Sequence, residues 1–429
     1  MELYNIFKNH PVVTTDSRDC PSGSIFFALK GASFNGNAFA AKALEQGCAY
    51  AVVDESQYVV ANDNRYILVD DCLKALQQLA NAHRRALGTK IIGITGTNGK
   101  TTTKELMASV LGEKYNVLYT QGNFNNDIGV PKTLLRLKPE HEIAVVEMGA
   151  SHPGDIKTLV DIVEPDFALI TNVGRAHLQG FGSFEGVIRT KGELYDFMRV
   201  HGGKVFIDAG NQYLTAIATG LDTIEYGIEH RDDLCVNGEL VSCSPFLNFR
   251  WRHGADCWHD VSTCMIGAYN IYNMIAAACV GLYCGVSPQQ IDHALASYTP
   301  SNSRSELRKT KYNTLIVDAY NANPTSMDAA IRNFKDMEVD NKMIIIGDMG
   351  ELGDASAEEH SKIISLLEEC DFSEVWLVGS SFANTDSQYR TFANVDEVKR
   401  EIQTCRPEGK CILIKGSNST RLYQLPELL

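Results

Sequence analysis

The chain has 429 residues, an apolar fraction of 44% and a formal net charge of −14. That length allows roughly two to four domains with sizeable cores. The acidic balance, with a pI of about 5.3, excludes a nucleic-acid or anionic-membrane surface as the main business, though local basic loops can still hold small anions.

The opening MELYNIFKNHPVV has no basic stretch followed by an apolar one, so no signal peptide is expected. Residues 1–83 read as a small α/β domain: strand-like SIFFAL, YAVVD and RYILVD with one helix, NAFAAKALEQG, among them. After the helical LKALQQLANAHRRAL, a central domain over 84–299 opens with IIGITG, a strand. TTKELMASVLGEK then reads as helix, NVLYT as strand, PKTLLRL as helix and EIAVVEMG as strand. GDIKTLVDIV (helix), FALITNVG (strand) and KVFID (strand) continue the pattern. Such alternation predicts a parallel sheet covered on both faces. Residues 222–265 read as an antiparallel meander, followed by a helical pair, YNIYNMIAAACVGLYCG and SPQQIDHALASY. The first of these is too short to span a bilayer. PSNSRSE at 300–306 reads as a linker, and 300–429 as a third α/β domain with strands in NTLIVDAYNANP, KMIIIGDMGELG, EVWLVG and KCILIKG. The fold class is therefore α/β in three domains, and the expected location is the cytoplasm. The 12 cysteines include no C-x-x-C pair and read as buried thiols. His253, Cys257, His259 and Cys264 are metal-ligand types, but their spacing fits no common structural zinc site and they read as ordinary sheet residues.

Residues 93–105, GITGTNGKTTTKE, carry the strongest chemical signal. Strict phosphate-loop spacing would place a glycine at Ile94, so that pattern fails; Gly96-Thr97-Asn98-Gly99-Lys100-Thr101-Thr102 stands instead. The physics survives. Glycines let backbone N–H groups approach phosphate oxygens, the helix N-terminus adds its dipole, Lys100 adds a point charge, and Thr101 offers Mg²⁺ a hydroxyl. Glu147 ends a buried strand beside Gly149, where it is either a satisfied strand-end carboxylate or a metal ligand. His177 lies in a glycine-rich loop; alone it reads as a surface residue, but the sheet edge it shares with Lys100 and Glu147 opens a catalytic reading. Lys191 beside Glu193 reads as a solvated helix face. No N-K-x-D signature supports a GTPase switch, and no G-x-S-x-G supports a hydrolase.

GTNGKTTTKE, VVEMGASHPGDI, NVGRAHLQGFGS and DAYNANPTSM followed by GDMGELG resemble, in this order, the Mur ligases of peptidoglycan synthesis. The amino-terminal TTDSRDCPSGSIFFALKGASFNGNAFAAKALEQG matches too, so the resemblance covers nearly the whole chain. The phosphate loop is shared with folylpolyglutamate synthetases; YNANPTSM is more selective and fits the branch that adds D-alanyl-D-alanine to UDP-N-acetylmuramoyl-tripeptide. The resemblance implies a central phosphate-loop domain, a UDP-binding amino-terminal domain and a Rossmann-like carboxyl-terminal domain. It implies a monomer that uses ATP and two Mg²⁺ ions to make an acyl phosphate, which the dipeptide amine then attacks. Gly96, Thr97, Asn98, Gly99, Lys100, Thr101 and Thr102 would hold phosphates, with Asn270 and Asn273 on the adenine side, Arg304 near the phosphates and Asp318 at the ribose. Thr101, Glu147, His177 and a carbamylated Lys191 would hold metal, which overrides the solvated-face reading of that lysine. Asp16, Ser17, Arg18, Lys30 and Gly31 would meet the uridine nucleotide, Asn125 and Asn126 the peptide-bearing part, and Asn321, Asn323, Lys415 and Ser417 the incoming dipeptide. The tail departs from the family pattern: KGS is followed by Asn418 and Ser419 rather than Arg-Gly.

Two other readings compete. The branch that adds a diamino acid carries D-N-P-R where this chain has N-A-N-P, at Asn321 to Pro324. A silent scaffold would have no use for Lys100, Thr101, Glu147, His177 and Lys191 together.

Overall fold

A computed structural model gives the fold and describes residues 2–300 and 304–429. The chain divides into two compact units.

The first unit comprises residues 2–94, 115–149 and 155–167. Its amino-terminal part is a parallel sheet in the order Val13–Thr14, Ile25–Phe27, Tyr50–Val53, Tyr66–Leu68. Ile25, Phe26 and Phe27 are buried on both faces, which is why the run SIFFAL shows no polar alternation. The helix Cys72–Leu87 starts where the Asp71 carboxylate accepts from the Lys74 amide and stops at Gly88, in the left-handed conformation. Beyond it, Val117–Tyr119, Ile143–Glu147 and Lys90–Thr95 lie side by side in that order, all parallel. The helices Gly129–Leu134 and Asp155–Val163 belong to this unit.

The second unit comprises 95–114, 150–154 and the chain from 168 onward. Its strands follow sequence order: Phe167–Ile170, Lys204–Asp208, Thr223–Gly227, Val236–Cys243, Phe246–Arg252, His259–Ile266. The expected antiparallel meander holds only for the last three. Thr223–Gly227 instead runs parallel to Lys204–Asp208, with Val205 opposite Thr223. The short helix Gln212–Ile217, capped by Asn211, carries the chain back across, and a crossover of that kind sets strands parallel. The helix Ile271–Tyr283 is buried almost all round and packs on the helix Lys100–Gly112.

The carboxyl-terminal sheet runs Glu306–Lys309, Thr314–Asp318, Cys411–Lys415, Lys342–Gly347, Val375–Val378, Arg390–Phe392. All its pairings are parallel except that of Glu306–Lys309 with Thr314–Asp318. Side chains alternate between two apolar layers: Ile316, Ile344, Ile346 and Leu413 in one, Leu315, Val317, Ile345, Ile412 and Ile414 in the other. Within the expected linker, residues 301–303 lie outside the described residues, and Glu306 already begins the edge strand. That strand reads E-L-R-K; charges on an edge discourage pairing with other chains, and they also hide a strand from sequence reading. No helix among the described residues is long and apolar enough to cross a membrane.

Candidate active site

The phosphate loop is clamped from one side. The Thr97 amide donates to the Asn172 carbonyl (2.9 Å), and the Asn98 amide to Asn172 Oδ1 (3.0 Å). The Asn98 carbonyl accepts from Thr171 Oγ1 (2.7 Å) and Asn172 Nδ2 (3.0 Å). Lys100 folds back, its Nζ donating to the carbonyls of Gly96 (2.7 Å) and Thr97 (2.9 Å). The helix Lys100–Gly112 has no side-chain cap, and Gly99 (φ 78°) leads straight into it. The helix N-terminus therefore lies in the loop itself, where its dipole favours an anion. Thr101 is buried and Thr102 half-buried in that turn.

Gly96 is fixed by sterics. It has φ 141°, and a Cβ there would stand 2.0 Å from Thr171 Oγ1. We expect Gly96→Ala to cost about 1–3 kcal/mol from backbone strain and the clash together. A thermal melt shifted down, with nucleotide affinity falling alongside, would agree; an unchanged melt would contradict this account of the loop.

Asn270 and Asn273 stand behind the cradle, 3% and 8% exposed. Asn270 Nδ2 donates to the Ile266 carbonyl (2.7 Å), Asn273 Nδ2 to Asn270 Oδ1 (2.8 Å), and Thr103 Oγ1 to Asn273 Oδ1 (3.0 Å). The asparagines therefore brace the loop helix.

The loop after Phe167–Ile170 meets the carboxyl-terminal elements. Asn98 and Asn323 exchange side-chain hydrogen bonds, Asn323 Nδ2 to Asn98 Oδ1 at 2.8 Å and Asn98 Nδ2 to Asn323 Oδ1 at 3.4 Å. Asn323 also caps the helix Pro324–Asp336. The Arg175 amide donates to Thr325 Oγ1 (3.0 Å), and its guanidinium pairs with Glu359 (3.3 Å). His177, at φ 50°, pairs through Nδ1 with Glu351, and that contact holds the Glu351 carboxyl below its ordinary range.

Lys191 is 2% exposed, which corrects its reading as a solvated face. Its Nζ lies 3.5 Å from the Ala150 carbonyl and 5.5 Å from the Phe181 ring centre. The helix that carries it, Phe184–His201, starts at Ser183, whose hydroxyl accepts from the Gly186 amide. Glu193 accepts from the Gly154 amide (2.8 Å).

In the first unit, Glu147 is 1% exposed, stands opposite Ile94 in the sheet, and accepts from Asn125 Nδ2 (2.8 Å). Asn126 Oδ1 accepts from the Gly129 amide (2.8 Å), at the first residue of the helix Gly129–Leu134. Asp16 and Arg18 form a two-pronged pair that pulls the Asp16 carboxyl down to about 2. Ser17 lies between them, half-buried. Lys30 bridges Asp54 and Glu55, each at 2.9 Å, and at Gly31 a Cβ would meet the Phe34 ring.

In the carboxyl-terminal sheet, Asp318 and Lys415 end neighbouring strands in register and pair at 2.5 Å; Lys415 also reaches the Asn321 carbonyl (3.4 Å). The Arg304 guanidinium lies over the Tyr320 ring, 3.9 Å from its centre. Ser417 Oγ is 2.8 Å from Ser419 Oγ, so the divergent tail closes on itself.

Sequence reasoning missed Thr171, Asn172, Thr325 and Glu351, which set the loop by tertiary contact. The TN of TNVG, at a strand's carboxyl end, is the one signal that could have raised the first two. Of the expected sheet residues, His259 pairs with Asp292 (2.8 Å), His253 bonds the Cys235 carbonyl (2.7 Å), and Cys257 and Cys264 are exposed. Among the described residues no group of three His, Cys, Asp or Glu side chains could hold a metal. Mg²⁺ does not need such a cage, since it keeps waters and takes one or two carboxylates beside phosphates. In the first unit the Glu147 carboxylate, and in the second the Thr101 hydroxyl, are each an oxygen donor of the kind it takes.

Three family models match the chain: "Mur ligase family, catalytic domain" over residues 11–84, "Mur ligase middle domain" over 94–281, and "Mur ligase, glutamate ligase domain" over 303–418. The UDP-N-acetylmuramoyl-tripeptide–D-alanyl-D-alanine ligase of Bacillus subtilis is 38% identical, covering 96% of this chain and 92% of its own. MurF from Acinetobacter baumannii superposes with a TM-score of 0.87 at 32% identity, covering 96% of this chain and 92% of that one. The MurF ligase from Thermotoga maritima, solved with ADP, gives 0.86 at 26% identity over 97% and 96%.

Proposed function

The chain belongs to the Mur ligase family, and from that premise we propose that it joins D-alanyl-D-alanine to UDP-N-acetylmuramoyl-tripeptide at the expense of ATP. One observation carries the reading: a glycine-rich loop that leads its lysine into a helix N-terminus, inside a chain that matches, over 96% of its length, a relative named for this reaction.

The tripeptide carboxylate takes the γ-phosphoryl group of ATP and ADP leaves. The dipeptide amine then attacks the acyl carbon, and inorganic phosphate departs. Lys100 and the loop amides from Gly96 to Thr102 hold the phosphates, where fixed donors stabilise the charge that develops. Thr101, Glu147, His177 and a carbamate on Lys191 are the proposed Mg²⁺ ligands. When bound, Mg²⁺ supplies charge neutralisation at the transferring group. Asn270 and Asn273 take the adenine side as well as bracing the loop. Arg304 and Asp318 serve the nucleotide, and Asp318 is oriented by Lys415. Asp16, Ser17, Arg18, Lys30 and Gly31 take the uridine end, and Asn125 and Asn126 the peptide-bearing part. Asn321, Asn323, Lys415 and Ser417 take the dipeptide. In this division residues 1–83 bind the UDP end, 84–299 ATP and 300–429 the dipeptide, in a cytoplasmic monomer. N-A-N-P in place of D-N-P-R separates this reading from diamino-acid addition.

The test is phosphate release from ATP and Mg²⁺ with the tripeptide nucleotide, with and without D-alanyl-D-alanine. Dipeptide-dependent release, and a pentapeptide product by mass, is expected. Release only with the dipeptide-bearing nucleotide plus a diamino acid would move the enzyme to the neighbouring branch. No release in either arm would leave a scaffold.

A further inference from the structure

Asp318 and Lys415 stand at the carboxyl ends of two neighbouring strands in the carboxyl-terminal sheet. At the amino ends of the same two strands, Thr314–Asp318 and Cys411–Lys415, a cavity of about 500 Å³ opens, with Arg308, Lys309, Lys311, Tyr312, Arg406 and Glu427 in its wall. Three separate segments of the chain form that wall, and one buried side chain ties them together. Asn313, 6% exposed, donates through Nδ2 to the Pro407 carbonyl (2.8 Å) and the Leu429 main-chain oxygen (2.7 Å), and its Oδ1 accepts from the Lys410 amide (3.0 Å). The Gly409 amide donates to the Tyr312 carbonyl (2.9 Å). Thr310 Oγ1 closes the turn by accepting from the amides of Tyr312 (3.2 Å) and Asn313 (2.9 Å). The backbone that carries the cations is therefore fixed before any ligand arrives, which lowers the cost of binding one.

Arg308 is committed to Glu306 (2.7 Å) and Glu427 (3.5 Å). Lys309, Lys311 and Arg406 have no ion-pair partner among the described residues. The Arg406 guanidinium lies over the Tyr312 ring, 4.0 Å from its centre, and Lys311 Nζ lies 5.3 Å from the same centre. Such contacts hold a cation in place without neutralising it. Even with Glu306, Glu427 and a carboxylate at Leu429 set against Arg308, Lys309, Lys311 and Arg406, the wall keeps a positive surplus, in a chain of net charge −14. A concave site of one sign concentrates ligands of the other. We propose that this cavity is a second anion site, separate from the phosphate loop, and that it takes a polyphosphate chain, free or carried by a nucleotide. Lys309 and Lys311 supply point charges and Arg406 a two-pronged donor, a set that suits linked phosphoryl groups. The volume falls in the range of small-molecule sites.

Lysine footprinting of the full chain tests this. The protein is acetylated with an N-hydroxysuccinimide ester in sodium tripolyphosphate, or in sodium chloride of matched ionic strength, then digested and read by peptide mass. Labelling of Lys309 and Lys311 should fall severalfold with tripolyphosphate and not with chloride, while the exposed Lys42 labels equally in both. A GTP arm separates the two sources: protection at the same concentration as tripolyphosphate assigns the phosphate chain alone, and protection at a lower one adds the nucleoside. Arg406→Ala should raise the tripolyphosphate concentration needed to protect Lys309 by about tenfold, the loss of one charge-assisted donor. Lys100 in the same digest reports the phosphate loop, so failure of either site is seen on its own. Lys309 and Lys311 labelling at the unprotected rate would overturn the proposal, as would equal protection of Lys42, which marks general screening.

Discussion

Lys100→Ala is expected to lower ATP-dependent phosphate release by about a hundred- to a thousandfold, the range seen when one fixed donor to a transition-state charge is removed. The fold should persist. Two carbonyls of its own loop, at 2.7 and 2.9 Å, accept from the lysine, while the clamp on the loop is built by Thr171 and Asn172. Circular dichroism and the melting temperature should therefore stay close to wild type while turnover collapses. Lys100→Arg should not restore activity, because a planar fork does not replace a compact point charge within the turn. Turnover unchanged in Lys100→Ala would sink the assignment of the loop.

Lys191→Ala is expected to cost a comparable factor, for a different reason. A lysine only 2% exposed sits where an ammonium loses its hydration, a cost that a modification removing the positive charge would lift. Reaction of the neutral amine with CO₂ gives a carbamate and a proton, replacing a buried cation by an oxygen donor. Two consequences can be measured. Activity of the wild type should fall in CO₂-depleted buffer and return with bicarbonate. Lys191→Ala should recover part of its activity with formate or acetate, which can occupy the vacated volume with a carboxylate. If short acids leave the variant inert, and wild-type rate ignores bicarbonate, Lys191 acts as a plain ammonium and the carbamate is wrong.

Elements whose signal is local were legible. The runs IIGI, IAVV and MIIIG became buried parallel strands because both of their faces are covered, and the glycines of the loop marked a tight strand-to-helix turn with positive φ at Gly96 and Gly99. What sequence reading lost was set by distance along the chain. Asn98 and Asn323 are 225 residues apart, and Asp318 and Lys415 are 97 apart; no periodicity encodes either pair. Lys191 misled because helical spacing beside a glutamate looks the same whether the face is wet or buried. The parallel placement of Thr223–Gly227 turned on one short helix, Gln212–Ile217, too brief to show a helical repeat.

The exchange between Asn98 and Asn323 has a consequence for ionic strength. Two amides carry no net charge, so added salt does not screen their attraction. The neighbouring ties, Arg175 with Glu359 and His177 with Glu351, each have one partner half exposed or more, and contacts of that kind contribute only about 0–1 kcal/mol, less as salt rises. In concentrated salt the hold of the carboxyl-terminal helix Pro324–Asp336 on the phosphate loop therefore narrows toward its uncharged contacts, the amide pair and the Arg175 amide on Thr325.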